Sequence, residues 1–179
     1  MIKKIVVIGP ESTGKSTLCE QLAKHYDTMW IPEFARGFLE KNGMQYSYDN
    51  LLTIAKGQIE LEETCIADLP LTTQDLRLFI DTDMYVMKVW CEFVFGKCHN
   101  WILNQIAVRK YELYLLCDVD RPWIKDELRE YPDLGTRAKL YHYYKDLMVN
   151  QSTPWIIING DYSERFKKAV DGIDSIITD

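Results

Sequence analysis

Residues Gly9-Pro10-Glu11-Ser12-Thr13-Gly14-Lys15-Ser16 hold the spacing G-x-x-x-x-G-K-[ST], the P-loop arrangement by which a chain grips a nucleoside triphosphate. Each residue type answers a physical demand. Successive backbone N–H groups must converge on one phosphate, and bulky side chains would obstruct that cradle. Gly9 and Gly14 allow the bends. Lys15 is placed to reach the β- and γ-phosphates and the Ser16 hydroxyl to ligate Mg²⁺. Glu11, Ser12, Thr13 and Thr17 complete the expected nucleotide contacts, so ATP and Mg²⁺ are the expected ligands. The flanking sequence suits the motif. The apolar run Ile5–Ile8 reads as a buried strand entering Gly9. A helix from Lys15 to about Tyr26 then turns its free N–H groups and positive dipole end toward the anion.

Further candidates lie at the ends of other apolar runs. Leu78-Phe79-Ile80-Asp81 ends a strand on a carboxylate, the Walker B pattern, which makes Asp81 a second metal ligand. Asp83, two residues on, suits a helix N-cap better than Asp81 does. Asp118 and Asp120 follow another strand and weigh equally as structural or functional groups. The stretch Arg121-Pro-Trp-Ile-Lys125-Asp-Glu-Leu-Arg129, continuing to Arg137, is read as a lid over about residues 118–135. In P-loop kinases such a lid brings arginines to the transferring phosphoryl group. Arg129 and Arg137 are the expected catalytic cations, and residues 121–135 are expected to stand open or mobile until ATP and acceptor are bound.

These groups need a scaffold. Short apolar runs alternate with longer helical patterns along all 179 residues, the form of an α/β domain with a mainly parallel sheet. Strands are expected at Ile5–Ile8, around Met29–Ile31, at Leu76–Ile80, Leu113–Cys117 and Trp155–Ile158. Helices are expected at about Phe34–Lys41, Tyr48–Asp68, from Thr82 or Asp83 to Phe95, at Asn100–Lys110 and Thr136–Asn150. A last helix opens on the capping box Asp161/Glu164. Right-handed crossovers between parallel strands predict one three-layer α/β/α domain over 1–179, a P-loop NTPase fold with strand order 2-3-1-4-5. The stretch from Pro32 to Leu76 is longer than one crossover helix needs and is read as an insertion that closes over a phosphate acceptor.

Composition narrows the classes. A net charge of −6 argues against a general nucleic-acid surface, which needs excess Lys and Arg to displace counterions. No apolar run approaches the ~20 residues that span a bilayer, and no signal peptide is read at the N-terminus. The five cysteines show no C-x-x-C and no His at metal-ligand spacing, which suits reduced thiols in a cytoplasmic protein. No N-K-x-D guanine motif and no ABC-type signature is present. With these classes set aside, the long insertion and the arginine-bearing lid favour a small-molecule kinase.

Six segments then stand in a known order: Gly-Pro-Glu-Ser-Thr-Gly-Lys-Ser-Thr (9–17), Pro-Glu-Phe-Ala-Arg (32–36), Ile-Ala-Lys-Gly-Gln-Ile (54–59), Phe-Ile-Asp-Thr-Asp (79–83), Phe-Gly-Lys-Cys (95–98) and Leu-Leu-Cys-Asp-Val-Asp-Arg-Pro-Trp (115–123). The chain resembles the ribosylnicotinamide kinase domain of the bacterial NadR family over nearly its whole length. The resemblance implies transfer of the ATP γ-phosphate to the 5′-hydroxyl of nicotinamide riboside, giving nicotinamide mononucleotide. NadR proteins carry an adenylyltransferase domain, and some a DNA-binding domain, ahead of the kinase. Neither activity is expected of these residues. Within the resemblance, Glu33 and Arg36 match an acid and an arginine just after strand two. Glu33 or Asp81 would accept the hydroxyl proton, Glu33 being favoured because Asp81 sits nearer the metal. Arg36 would hold substrate, Asp83 the ribose hydroxyls, and Trp123 is the favoured platform for a planar base. Trp90 reads more readily as core. The alternatives are a kinase of another nucleoside or small alcohol, and an ATP-binding regulatory module without an acceptor.

Overall fold

In the computed structural model, which describes residues 2–69 and 76–177, the apolar run before Gly9 forms the central strand β1 (Lys3–Ile8). The remaining elements follow as α1 (Lys15–His25), β2 (Trp30–Ile31), α2 (Phe34–Asn42), α3 (Tyr48–Ala67), β3 (Arg77–Asp81), α4 (Met84–Phe95), α5 (Asn100–Val108), β4 (Leu113–Cys117), α6 (Leu134–Val149), β5 (Trp155–Ile158) and α7 (Tyr162–Ile176). All four strand pairings are parallel, in the order β2-β3-β1-β4-β5. The sheet expected from the sequence is the sheet observed.

Alternation along the strands divides the core into two layers. Ile5, Val7, Phe79, Leu115 and Ile158 face α1 and α7. Val6, Ile8, Leu78, Ile80 and Leu116 face the opposite way, toward α4 and α6. Strands buried on both faces need apolar residues at nearly every position, which is why β1 and β4 read as unbroken runs. A third cluster joins α2, α3, α4 and α5 through Ala35, Leu51, Met87 and Ile102. The Pro32–Leu76 stretch contributes α2 and α3 to it, while its residues 70–75 lie outside those described.

A buried carboxylate inside this frame is paired from three sides. Glu62 of α3, 1% exposed, accepts from the Tyr111 hydroxyl at 3.0 Å, Arg109 Nη1 at 3.1 Å and Lys4 Nζ at 3.3 Å. Among the described residues, no helix is long and apolar enough to cross a membrane.

Order 2-3-1-4-5 puts the carboxyl ends of β1, β3 and β4 side by side where the chain reverses its direction of winding. Ligands of open α/β sheets bind in that crevice. Val7 is in register with Asp81 and Ile8 with Leu116, so the P-loop, Asp81 and the loop after β4 all leave the sheet at one edge.

Candidate active site

The P-loop takes its shape from two glycines and one brace. Gly9 has φ +139°, and a Cβ there would lie 2.7 Å from the Cys117 carbonyl oxygen. Gly14 caps α1 in the left-handed region at φ 81°. The close approach at Gly9 excludes a side chain, and the left-handed backbone at Gly14 favours glycine. Within the loop, Thr13 Oγ1 donates to the Pro10 carbonyl at 2.7 Å and Lys15 Nζ donates to the same oxygen at 3.0 Å.

The brace was not read from the sequence. Arg165 of α7, 3% exposed, donates to the carbonyls of Thr13 (2.7 Å), Gly160 (2.9 Å) and Asp118 (3.0 Å), and pairs with Asp120. Asp120 also accepts from the Gly160 amide at 2.6 Å. The Asp118–Asp120 turn is thereby structural. One signal did exist: Arg165 falls on the same helical stripe as Ala169 and Ile173, and a charge on an apolar stripe needs a buried partner.

At the end of β3 the backbone turns through Thr82, which holds φ 80°. Its neighbours consequently serve different purposes. Asp81, fully buried, accepts from the Ser16 hydroxyl at 2.5 Å, joining the Walker B position to the P-loop. Asp83 caps α4, accepting from the Tyr85 amide at 2.9 Å and the Val86 amide at 3.4 Å, and its other oxygen accepts from the Tyr114 hydroxyl at 2.8 Å. Asp83 is 2% exposed with both oxygens engaged inside the protein, the arrangement of a helix cap, whereas the resemblance implies a ribose ligand there.

Glu33 is the N-cap residue of α2, yet its carboxylate makes no capping hydrogen bond. Gln58 of α3, 2% exposed, does that work: it accepts from the Phe34 amide at 2.7 Å and donates to the Pro32 carbonyl at 3.3 Å. The Glu33 carboxylate is left facing a cavity of about 430 Å³. No ion pair with Arg36 forms; Arg36 instead bonds Asp126 at 2.8 Å and lies 3.5 Å from Glu40. Burial raises the pKa of Glu33, the Asp81 charge raises it further, and Lys15 and Arg36 oppose the shift. Burial likewise raises Asp81, against Lys15 and the hydroxyls of Ser16 and Thr82. Two carboxylates thus share one crevice with a single lysine, a setting that favours an added cation.

The cavity, large enough for a small ligand, is lined by the whole P-loop, Glu33, Arg36 and Arg129, with Trp90, Phe93, Tyr131 and Tyr144 forming an aromatic side. Trp123 is not among the lining residues, and its Nε1 is buried without a partner. Trp90 takes the place expected of Trp123, because α4 carries it to the cavity while also seating it against the α2–α5 cluster. Phe93 and Tyr144 went unread because an aromatic at helical spacing carries no local mark of facing a ligand, and Tyr131 because it stands in a charged loop.

The loop from Arg121 to α6, expected to stand open or mobile, lies down over the P-loop. The Ile124 amide donates to Ser12 Oγ at 2.9 Å, and Arg129 Nη1 reaches the same oxygen at 3.3 Å. Arg137, 2% exposed, donates from Nη2 to the Arg121 carbonyl at 3.2 Å and the Ser12 carbonyl at 3.4 Å, while its Nε is buried without a partner. Burial lowers the pKa of Arg137, with Glu11 opposing and Arg129 adding to the shift. Both sequence-predicted arginines therefore border the P-loop.

A parallel sheet of order 2-3-1-4-5 with this loop after β1 defines a P-loop NTPase-like domain of the kinase-like type. A protein-family model described as AAA domain matches residues 4–165, and the chain belongs to that family. It is similar to the trifunctional NAD biosynthesis/regulator protein NadR of Escherichia coli (strain K12), 25% identical over 178 residues that make up 95% of this chain and 42% of that protein. The NadR of Salmonella typhimurium (strain LT2) is 24% identical over the same shares. The chain spans less than half the length of these relatives. Among solved structures, NadR in complex with NR matches at a TM-score of 0.81 and 21% identity, over 97% of this chain and 49% of that one. NadR with NAD and AMP-PNP matches at 0.74 and 20%, with the same coverage. The likeness to NadR read from the motifs is borne out, and at these identities the solved structures speak for the fold.

Proposed function

We propose that this protein is an ATP-dependent kinase that phosphorylates the 5′-hydroxyl of nicotinamide riboside, yielding nicotinamide mononucleotide. The observation that carries the reading is Glu33: a carboxylate that makes no capping bond and has no hydrogen-bond partner among the described residues, raised in pKa, on the wall of one cavity that also holds the P-loop and an aromatic cluster. A nucleotide sensor has no use for such a base. The NadR relatives, one of them solved with NR, point to the same acceptor.

In this reading residues 9–17 cradle the triphosphate through backbone N–H groups, and Lys15 leaves the Pro10 carbonyl for the β- and γ-phosphates. Ser16 and Asp81, already in contact, would hold Mg²⁺, which supplies charge neutralisation on the phosphates. Among the described residues no group of three or more His, Cys, Asp or Glu is built to hold a metal. One carboxylate and one hydroxyl suit an ion that keeps most of its waters. The insertion over about residues 32–76 bounds the acceptor side and the segment at about 118–135 serves as lid.

Trp90, Phe93 and Tyr131 stack on or around the planar base, and a cationic pyridinium gains from aromatic faces. Arg36 positions the riboside. Glu33 accepts the 5′-hydroxyl proton as that oxygen bonds to the γ-phosphorus. The bond from that phosphorus to its bridging oxygen breaks, and ADP leaves. Arg129 and Arg137 stabilise the charge on the transferring group. The test is ADP release measured across a panel of nucleosides. Nicotinamide riboside should give the highest kcat/KM. A different best nucleoside would overturn the acceptor, and ATP binding with no acceptor-dependent turnover would leave a regulatory module.

A further inference from the structure

Glu11 belongs to the P-loop by sequence, yet its carboxylate holds the lid. Its two oxygens accept separately from the Glu130 amide (3.0 Å) and the Tyr131 amide (2.5 Å). Those amides lie in a loop without regular secondary structure, so no ladder or helix satisfies them. Hydrogen bonds to an ionised acceptor are the strong kind. From these two anchored residues, fixed contacts run into the aromatic side of the cavity. The Tyr131 ring meets Phe93 edge-on, centroids 5.3 Å apart at 89°. The Glu130 carboxylate accepts from the Tyr46 hydroxyl at 2.8 Å, and that hydroxyl accepts from Trp90 Nε1 at 2.8 Å. Tyr46 and Trp90 also pack T-shaped, 5.0 Å apart. Three cavity aromatics from two separate segments are thus tied to a single side chain of the phosphate-binding loop: Tyr131 directly, Phe93 through Tyr131, and Trp90 through Glu130 and Tyr46.

The geometry points to Glu11 as a positioning residue for the acceptor rather than a ligand of the nucleotide. It fixes the 130–131 backbone against the P-loop, and through it the placement of Tyr131, Phe93 and Trp90. The P-loop backbone cradles phosphate, while this one side chain sets the wall against which the other substrate's planar group lies. The inference rests on the reading of this cavity as the acceptor site. Removing the carboxylate should therefore weaken acceptor binding selectively, because the cradle's own N–H groups and Lys15 are untouched.

The experiment compares Glu11→Ala and Glu11→Gln with the unaltered chain, using ATP and nicotinamide riboside. Steady-state kinetics are read beside amide hydrogen exchange at residues 130 and 131, with melting temperature as the check on folding. Glu11→Ala should raise the riboside KM about tenfold or more, as expected for lost hydrogen bonds to a charged group. The ATP KM should move by less than about twofold. The two amides should exchange faster, and Glu11→Gln, which keeps one acceptor oxygen, should fall between. A role confined to fold stability would instead lower the melting temperature with no split between the two KM values. An ATP KM that rises as much as the riboside KM overturns the inference in favour of a nucleotide contact. Unchanged exchange at 130 and 131, or faster exchange with an unchanged riboside KM, overturns it as well. If the unaltered chain prefers another nucleoside, the same KM split is read with that nucleoside. A wrong acceptor and a wrong role for Glu11 therefore give different results.

Discussion

The nucleotide side of the cavity comes from one continuous stretch, residues 9–17, whereas the acceptor side draws single residues from α2, α4, α6 and the loop before α6. The first works mainly through backbone N–H groups, so its requirements are glycines at fixed spacing and one lysine. The second works through side chains brought together only by packing: Gln58 frees Glu33, α4 presents Trp90 and Phe93, and Glu11 holds Tyr131. A backbone-built site is local and reads as a motif; a side-chain-built site is a tertiary product. The two should fail differently on mutation.

The largest effect belongs to the nucleotide side. Lys15→Ala should nearly abolish phosphoryl transfer while leaving the melting temperature unchanged, because Lys15 lies at the crevice and supports no core contact. Full turnover in the folded variant would remove the P-loop from the mechanism. Next come the cations between the two sides. Arg129→Ala with Arg137→Ala should lower kcat on the order of 10³-fold, measured at saturating ATP and acceptor. Unaltered kinetics would make the folded-down loop a structural cover only.

The acceptor side should respond in KM. Trp90→Ala is expected to raise the riboside KM by about tenfold or more, as loss of a stacking surface of one to a few kcal/mol requires, with ATP KM held. A rise confined to ATP would place the base elsewhere.

The smallest effect on turnover should come from Asp83, the cap of α4. Burial pushes its carboxyl up to about 6, against the pull of the Tyr114 hydroxyl and the Tyr85 and Val86 amides. A folded-state pKa above the unfolded value of about 4 means that the folded protein binds more protons in between. Stability contributed by this group should therefore fall as pH rises from about 4 to about 6. Asp83→Asn keeps an oxygen for the cap, so it should flatten that slope in urea titrations while leaving the riboside KM near its original value. A large KM increase would return Asp83 to the ribose site.

The scaffold was legible because its signals are repeated along the chain. Strands β4 and β5 fall on the residues read as apolar runs, α2 and α3 begin at the expected Phe34 and Tyr48, and α7 begins at its capping box Asp161/Glu164. The site was legible where it coincides with a motif: the P-loop serine and the strand-end acid, Ser16 and Asp81, are in contact. It was not legible where one residue's role depends on a distant one. Trp123 and Trp90 are both plausible platforms as letters; only the packing of α4 puts Trp90 at the cavity. Asp83 reads as both ligand and cap until Tyr114 is seen against its second oxygen. The lid is expected open or mobile by analogy with P-loop kinases, yet Glu11 and Ser12 fasten it through backbone amides, which leave no trace in sequence.

The most direct measurement is turnover of nicotinamide riboside by Glu33→Gln, with ATP affinity determined on the same preparation. Glutamine keeps the shape and removes the base. As a general base contributes about 10²–10⁴-fold, kcat should fall by that order while ATP binds as before. Full turnover in Glu33→Gln, with activity lost instead in Asp81→Asn, would contradict the assignment of Glu33 as the residue that takes the hydroxyl proton.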